Sequence, residues 1–183
     1  MNITIKKTCL KILIAGASLN LLGCANAILT ATDPRSFTTV MSDTEITQSL
    51  GIDYMEAENF GNLSVTVYNH KALLTGQVNT YQDRSNAVQI AHSNNSVKKV
   101  YDYLVVENPD KYQSSTINDS YITAKVKTDL FSTSGVSSND VKLVTNGGIV
   151  YIFGIVPANQ EQKIYNEAMA ISGVKKVVIL IEK

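Results

Sequence analysis

The chain reads as an α+β protein made of two tandem αββαβ sandwiches, each a three-stranded mixed sheet with two helices on one face. Two observations carry that reading. Residues 65–76 (VTVYNHKALLTG) are followed, 21 positions after their glycine, by Val97-Lys98-Lys99-Val100; residues 143–154 (LVTNGGIVYIFG) are followed, 20 positions after theirs, by Val174-Lys175-Lys176-Val177. Self-similarity at a fixed spacing marks one supersecondary unit used twice. Within each copy the apolar period also switches between helical and alternating in the same order.

In the first copy Ser42-Asp43-Thr44-Glu45 has capping-box spacing and starts a helix with Ile46 and Leu50 on one face. Leu63, Val65 and Val67 then alternate with Ser64, Thr66 and Tyr68. A turn falls at Asn69-His70-Lys71, and Ala72, Leu74, Gly76 and Val78 line one face of the return strand. A helix over 81–93 turns Ala87, Val88, Ile90 and Ala91 inward, and a strand covers 97–106. In the second copy a helix over 119–131 has Ile122, Val126 and Leu130 inward, and strands at 141–145 and 149–156 are joined by Asn146-Gly147-Gly148. A helix at 158–172 and a strand at 174–181 complete it; such a helical crossover is what a parallel last strand requires. Gly76 and Gly154 hold equivalent places and are expected to let a helix approach closely.

The strand at 149–156 is apolar on both sides. Val150, Ile152, Gly154 and Val156 face the helices, whereas Ile149, Tyr151, Phe153 and Ile155 face the other way. A strand apolar on both sides is normally buried on both, so the first unit is expected to cover this face; an exposed docking patch is the alternative.

The N-terminal segment is not part of either unit. Lys6, Lys7 and Lys11 precede an apolar run, 12–22, too short to span a bilayer, which is the layout of a secretory signal. Leu21-Leu22-Gly23-Cys24 resembles the lipobox of bacterial lipoproteins, which implies removal of residues 1–23 and lipidation of Cys24. Cys9 leaves with the signal, so Cys24 is the only thiol retained and no internal disulfide can form. The expected organisation is signal 1–23, tether 24–41, first unit 42–108, linker 109–116 and second unit 117–183. Ala25, in place of an Asp after the cysteine, implies transfer to the outer membrane in a Gram-negative cell.

Formal charge sums to zero but is unevenly placed. Residues 42–108 hold four basic and eight acidic side chains, and residues 117–183 hold seven basic and six acidic. Only the second unit can approach an anionic surface without repulsion. The basic density is too low for nucleic acid. His70 lies in a turn and His92 ends a helix, neither with metal-ligand spacing, and both read as solvated or capping residues. GxSxG, Walker and HExxH motifs are absent, and the acidic residues read as scattered along exposed faces. Neither an enzyme nor a metal or other cofactor is expected beyond the covalent lipid.

Taken in order, Leu22-Gly23-Cys24, Ala31-Thr32-Asp33-Pro34-Arg35-Ser36, Leu73-Leu74-Thr75-Gly76-Gln77, Ile122-Thr123-Ala124-Lys125-Val126-Lys127 and Ser172-Gly173-Val174-Lys175-Lys176-Val177 resemble the dual-BON outer-membrane lipoproteins of Gram-negative bacteria. The resemblance covers the whole mature chain. It implies αββαβ units, no catalysis, a lipid-anchored place facing the periplasm, and a second unit that binds anionic phospholipid in support of envelope integrity.

The residues offer a surface for that role. With Ile122, Val126 and Leu130 inward, Tyr121, Lys125 and Thr128 fall on an adjacent face and Lys127 and Phe131 on the other flank. A tyrosine ring suits headgroup depth, and lysine stems can lie on apolar surface with their ammonium groups toward phosphate. The other reading is an interaction scaffold that regulates an envelope partner through an exposed sheet face or strand edge.

Overall fold

The first helix begins at Phe37, five residues before the capping box, because Ser36 is a competing cap: its Oγ accepts the Thr39 N–H at 3.1 Å. The stretch 37–41, read above as tether, is therefore helical. The structure, a computed structural model, describes residues 33–57, 60–107 and 116–182. The signal segment, Cys24 and linker residues 109–115 lie outside the described residues.

The elements run α1 (Phe37–Glu56), β1 (Ser64–Tyr68), β2 (Lys71–Val78), α2 (Tyr81–Ser93) and β3 (Lys99–Val106) in the first unit. The second unit has α3 (Thr116–Ser132), a 3-10 turn (Ser138–Asp140), β4 (Val141–Asn146), β5 (Ile149–Ile155), α4 (Ala158–Met169) and β6 (Lys176–Glu182). Each sheet has its hairpin return strand in the centre, antiparallel to β1 or β4 and parallel to β3 or β6. The αββαβ order and mixed sheets are as the apolar periods indicated.

Both hairpins close through two-residue turns with both central residues in the left-handed region, the form whose twist matches the flanking strands. These are Asn69 and His70 (φ 49° and 60°) in one unit and Gly147 and Gly148 (φ 61° and 81°) in the other. Lys71 and Asn146, assigned to turns by sequence, pair in the strands as Tyr68↔Lys71 and Asn146↔Ile149.

Alternation along the strands divides the interior into three layers of side chains. Ile46, Leu50 and Tyr54 from α1 and Ala87 and Ala91 from α2 pack on Val67, Ala72, Leu74, Val78 and Leu104 of the first sheet. Ile122, Val126, Leu130, Ile164 and Ala168 cover Val150, Ile152 and Val177 in the second. Between the two sheets lie Tyr68, Leu73, Tyr151, Phe153 and Leu180. The order is thus helices, sheet, sheet, helices.

The middle layer answers the question posed by the two-faced strand β5: the first unit covers it. Phe153 is fully buried and Tyr151 is 2% exposed. Phe153 stacks on Tyr68 at 5.5 Å and meets Tyr101 edge-on at 6.1 Å, while Tyr103 and Tyr151 make a T-shaped pair at 4.9 Å. Fully burying a side chain of that size is worth about 1.5–3 kcal/mol, and each aromatic pair adds about 0.5–1.5 kcal/mol. The rim is polar: Lys71 pairs with Glu182 at 2.7 Å, Asn69 Nδ2 donates to both Glu182 oxygens at 3.2 Å, and Lys142 Nζ donates to Val67 O at 3.4 Å. An exposed sheet face at Tyr151 and Phe153, one form of the scaffold reading, does not exist.

The two paired glycines have a different job from the one expected. A Cβ on Gly76 would lie 2.0 Å from Asn62 O, and one on Gly154 would lie 2.9 Å from Asp140 O. What comes close is the backbone entering the first strand of each sheet, not a helix.

Candidate functional site

Each unit turns its first helix by the same device. Asp119 in α3 is buried and accepts the Gly147 and Gly148 N–H groups at 2.8 and 2.9 Å, and Asp43 in α1 accepts those of Asn69 and His70 at 2.6 and 2.8 Å. These two carboxylates are structural and interior, which corrects the reading that all acidic residues are exposed. Burying one edge of the helix in this way fixes which residues look outward.

At about 100° per residue, the side of α3 opposite Val126 carries Ile117, Tyr121, Ala124, Thr128 and Phe131. All five are exposed, Ile117 at 85%, Tyr121 at 63% and Phe131 at 75%. Tyr121, Thr128 and Phe131 thus share one face, rather than two flanks. Thr128 donates its hydroxyl to Ala124 O at 2.9 Å, so it lies flat on the helix. Ile117 was missed because sequence placed the start of the helix at Asp119; its position one turn before Tyr121 was the available signal.

The two lysines part company. Lys125 stays in solvent at the rim, its Nζ 2.8 Å from Asp129, a hydrogen bond that raises the amine pKa. Lys127 turns inward, where its Nζ donates to Ser138 O and, at 3.2 Å, to Val141 O. Burial lowers its pKa, with Asp140 pulling partly the other way. The structure therefore brings Tyr121, Thr128, Phe131 and Lys125 together and ties Lys127 to the 3-10 turn behind them.

The equivalent face of α1 is a useful contrast. Met41, Ile52 and Met55 are exposed there, but Glu45, Asp53 and Glu56 accompany them and the helix has no lysine or arginine. Apolar exposure recurs in both units; a lysine, Lys125, accompanies it only in the second.

Other chemistry has little to build on. His70 Nδ1 lies 3.2 Å from Ser96 O, and His92 is exposed in the last turn of α2. Among the described residues no three His, Cys, Asp or Glu side chains gather as a metal site, and no helix is long and apolar enough to cross a membrane. A groove of about 430 Å³ beside Tyr54, Phe60 and Leu63 presents no titratable pair.

Comparison with known proteins agrees with this architecture. The BON domain model matches twice, at residues 42–108 and 118–182. Outer membrane lipoprotein DolP of Haemophilus influenzae is 31% identical over 179 residues, covering 91% of each chain. A 21 kDa hemolysin of Actinobacillus pleuropneumoniae is 28% identical over 153 residues, covering 81% of this chain and 78% of that one. An uncharacterised protein of Anaplasma centrale is 32% identical over 123 residues, covering 65% of this chain and 80% of its own. With both units matched and one such relative aligned along nearly its whole length, the chain belongs to the BON-domain family and, within it, to the dual-BON lipoproteins of the outer membrane.

Proposed function

We propose that the chain is held in the outer membrane by lipid on Cys24, faces the periplasm, and uses the outward face of α3 to bind anionic phospholipid in support of envelope integrity. The observation that carries the lipid reading is the line of Ile117, Tyr121 and Phe131 in solvent on a side of α3 that neither its own sheet nor the first unit uses. A helix face of this kind lies in the plane of a membrane interface, its rings at headgroup depth. Lys125 at the rim, its ammonium shared with Asp129, supplies attraction to anionic headgroups. The acidic face of α1 is repelled by the same surface, which favours the second unit as the reader.

The tether makes weak affinity sufficient. Arg35 is fixed, its guanidinium 2.5 Å from Asp43 and 4.0 Å over the Tyr68 ring. Ten residues, 25–34, separate it from Cys24, a reach of at most about 35 Å. An anchored domain on so short a leash meets its membrane at millimolar effective concentration, so a contact too weak to recruit a soluble protein is well populated.

Co-sedimentation of the acyl-free chain with phosphatidylglycerol and phosphatidylcholine vesicles tests the reading. Tyr121→Ala with Phe131→Ala should reduce binding to the anionic vesicles by tenfold or more, and Lys125→Glu should reduce it further. Unchanged binding in the triple variant rules the face out.

A further inference from the structure

The exposed edges of the two sheets are not treated alike. On β1, Val67 N–H is taken by Thr47 Oγ1 at 3.3 Å and Val67 O by Lys142 Nζ. On β4, Val141 O is taken by Lys127 Nζ. On β3, Asp102 turns its Oδ1 onto the Leu104 N–H of its own strand at 3.0 Å while its Oδ2 holds Arg84 Nε at 2.8 Å. A charge placed along an edge strand and a backbone group already occupied are the ordinary means of blocking strand addition.

β6 has no such guard. In the repeat, with Val97 matched to Val174, the position of Asp102 is held by Ile179. Asn146 and Ile149 flank a two-residue turn and bond to each other, which leaves Val150, Ile152 and Gly154 to bond β6. In the Ile149↔Lys176 register their partners are Lys176, Val178, Leu180 and Glu182, and the N–H and C=O groups of Val177, Ile179 and Ile181 face the free side. Among the described residues no hydrogen bond reaches those groups.

The free edge is also complementary to itself. Laid antiparallel on a second copy about an axis through Ile179, Lys176 falls opposite Glu182 of the second copy and Val178 opposite Leu180 of the second copy. Val177 then falls opposite Ile181 of the second copy and Ile179 opposite itself. These residues, whose backbone groups face outward, form the hydrogen-bonded pairs, while Lys176–Glu182 and Val178–Leu180 are the closer, non-hydrogen-bonded ones. Lys176 and Glu182 lie on the same, inter-sheet side, and the register places two opposite-charge pairs at its ends. Glu182 already accepts from Lys71 and Asn69, and a carboxylate has acceptor capacity for a further ammonium.

We propose that β6 is a homodimerisation edge, pairing with β6 of a second copy to join two three-stranded sheets into one of six strands. The interaction is independent of lipid recognition by α3. Lipid anchoring favours it, because copies confined to one membrane surface meet at high local concentration.

The test uses the mature chain with Cys24→Ser, free of lipid and thiol, in sedimentation equilibrium up to millimolar concentration. A dimer is expected. Ile179→Pro removes the outward donor at the centre of the edge and leaves the β5–β6 hydrogen bonds in place, so it should abolish the dimer without loss of circular dichroism. Lys176→Glu, at an exposed side chain that folding does not depend on, should weaken the dimer about tenfold, and it decides the matter where the proline variant fails to fold. Register is read by mild oxidation: Ile179→Cys should cross-link with itself, since paired Cα atoms about 5.5 Å apart across the axis are within disulfide reach, and Val178→Cys should not. A chain that stays monomeric, a dimer indifferent to Lys176→Glu, or cross-linking at 178 in place of 179 overturns the proposal.

Discussion

Asp43 and Asp119 hold equivalent places in the two units, each directing its carboxylate from the first helix onto both N–H groups of its own hairpin turn. The relation ties each first helix, through a single side chain, to a hairpin tip 26 to 29 residues away in sequence. It also sets helix rotation, and so decides which residues of α1 and α3 are left in solvent.

Removing either carboxylate leaves two donors without their partner, and a buried unsatisfied group costs about 1–3 kcal/mol. Asp119→Ala is therefore expected to lose about 2–3 kcal/mol in urea unfolding of the acyl-free chain. Asp43→Ala should lose more, because it also strands the Arg35 guanidinium, whose side chain is 7% exposed. Asparagine at either site should restore part of the loss, since its amide oxygen still accepts. Equal costs for the two alanine variants would show that the Arg35 pair contributes nothing.

The glycines predict an order of severity. Gly76 combines φ +96° with backbone oxygen 2.0 Å from where a Cβ would sit, so Gly76→Ala should fail to fold. Gly154 lacks the positive φ, and its added Cβ meets Asp140 O at 2.9 Å and Val141 Cγ1 at 3.0 Å, which small shifts of β4 can relieve. Gly154→Ala should fold with a loss of about 1–3 kcal/mol, measured by thermal melting. A tolerated Gly76→Ala would contradict the close approach of Asn62.

What sequence could and could not reveal follows from the range of each interaction. Alternation along β5 showed two apolar faces, and burial of Phe153 between sheets followed from that pattern alone, because strand periodicity is local. The start of α1 was misplaced because Ser42-x-x-Glu45 and Ser36-x-x-Thr39 are both plausible caps, and the choice rests on Asp43 being drawn inside by a hairpin tip distant in sequence. Lys125 and Lys127 look alike to helical periodicity. Only the 3-10 turn Ser138–Asp140, folded back against α3, makes one a surface cation and the other a strut. Edge guarding by Asp102, and its replacement by Ile179, is visible in the repeat only once backbone directions are known.

Tyr54 links α1 to α2 by donating its hydroxyl to Ala87 O at 2.9 Å, and its pKa is raised, chiefly by burial and secondarily by Asp53. The folded protein therefore keeps this proton at a pH where the unfolded chain, near the ordinary tyrosine value of about 10, releases it. Stability contributed by Tyr54 is fully present below about pH 10 and is lost as pH rises above that. Tyr54→Phe should cost about 1 kcal/mol at neutral pH and give a shallower loss of stability in alkaline unfolding titrations. A parallel alkaline decline in both proteins would assign the loss to other groups.

Lys125 and Lys127 should separate membrane binding from stability. Lys125→Glu changes an exposed side chain whose partner is Asp129, so the unfolding midpoint should move little while binding to phosphatidylglycerol vesicles falls. Lys127→Ala strips a donor from the Ser138 and Val141 carbonyls and should cost about 1 kcal/mol, with vesicle binding preserved. The pH dependence gives an independent check. Burial lowers the folded-state pKa of Lys127, so just below its unfolded value of about 10.4 the unfolded chain still binds a proton that the folded protein has released, and stability from this residue rises with pH. Lys127→Ala should remove that rise, opposite in sign to the effect of Tyr54→Phe. Loss of vesicle binding in Lys127→Ala with its unfolding midpoint unchanged would return this lysine to the membrane face.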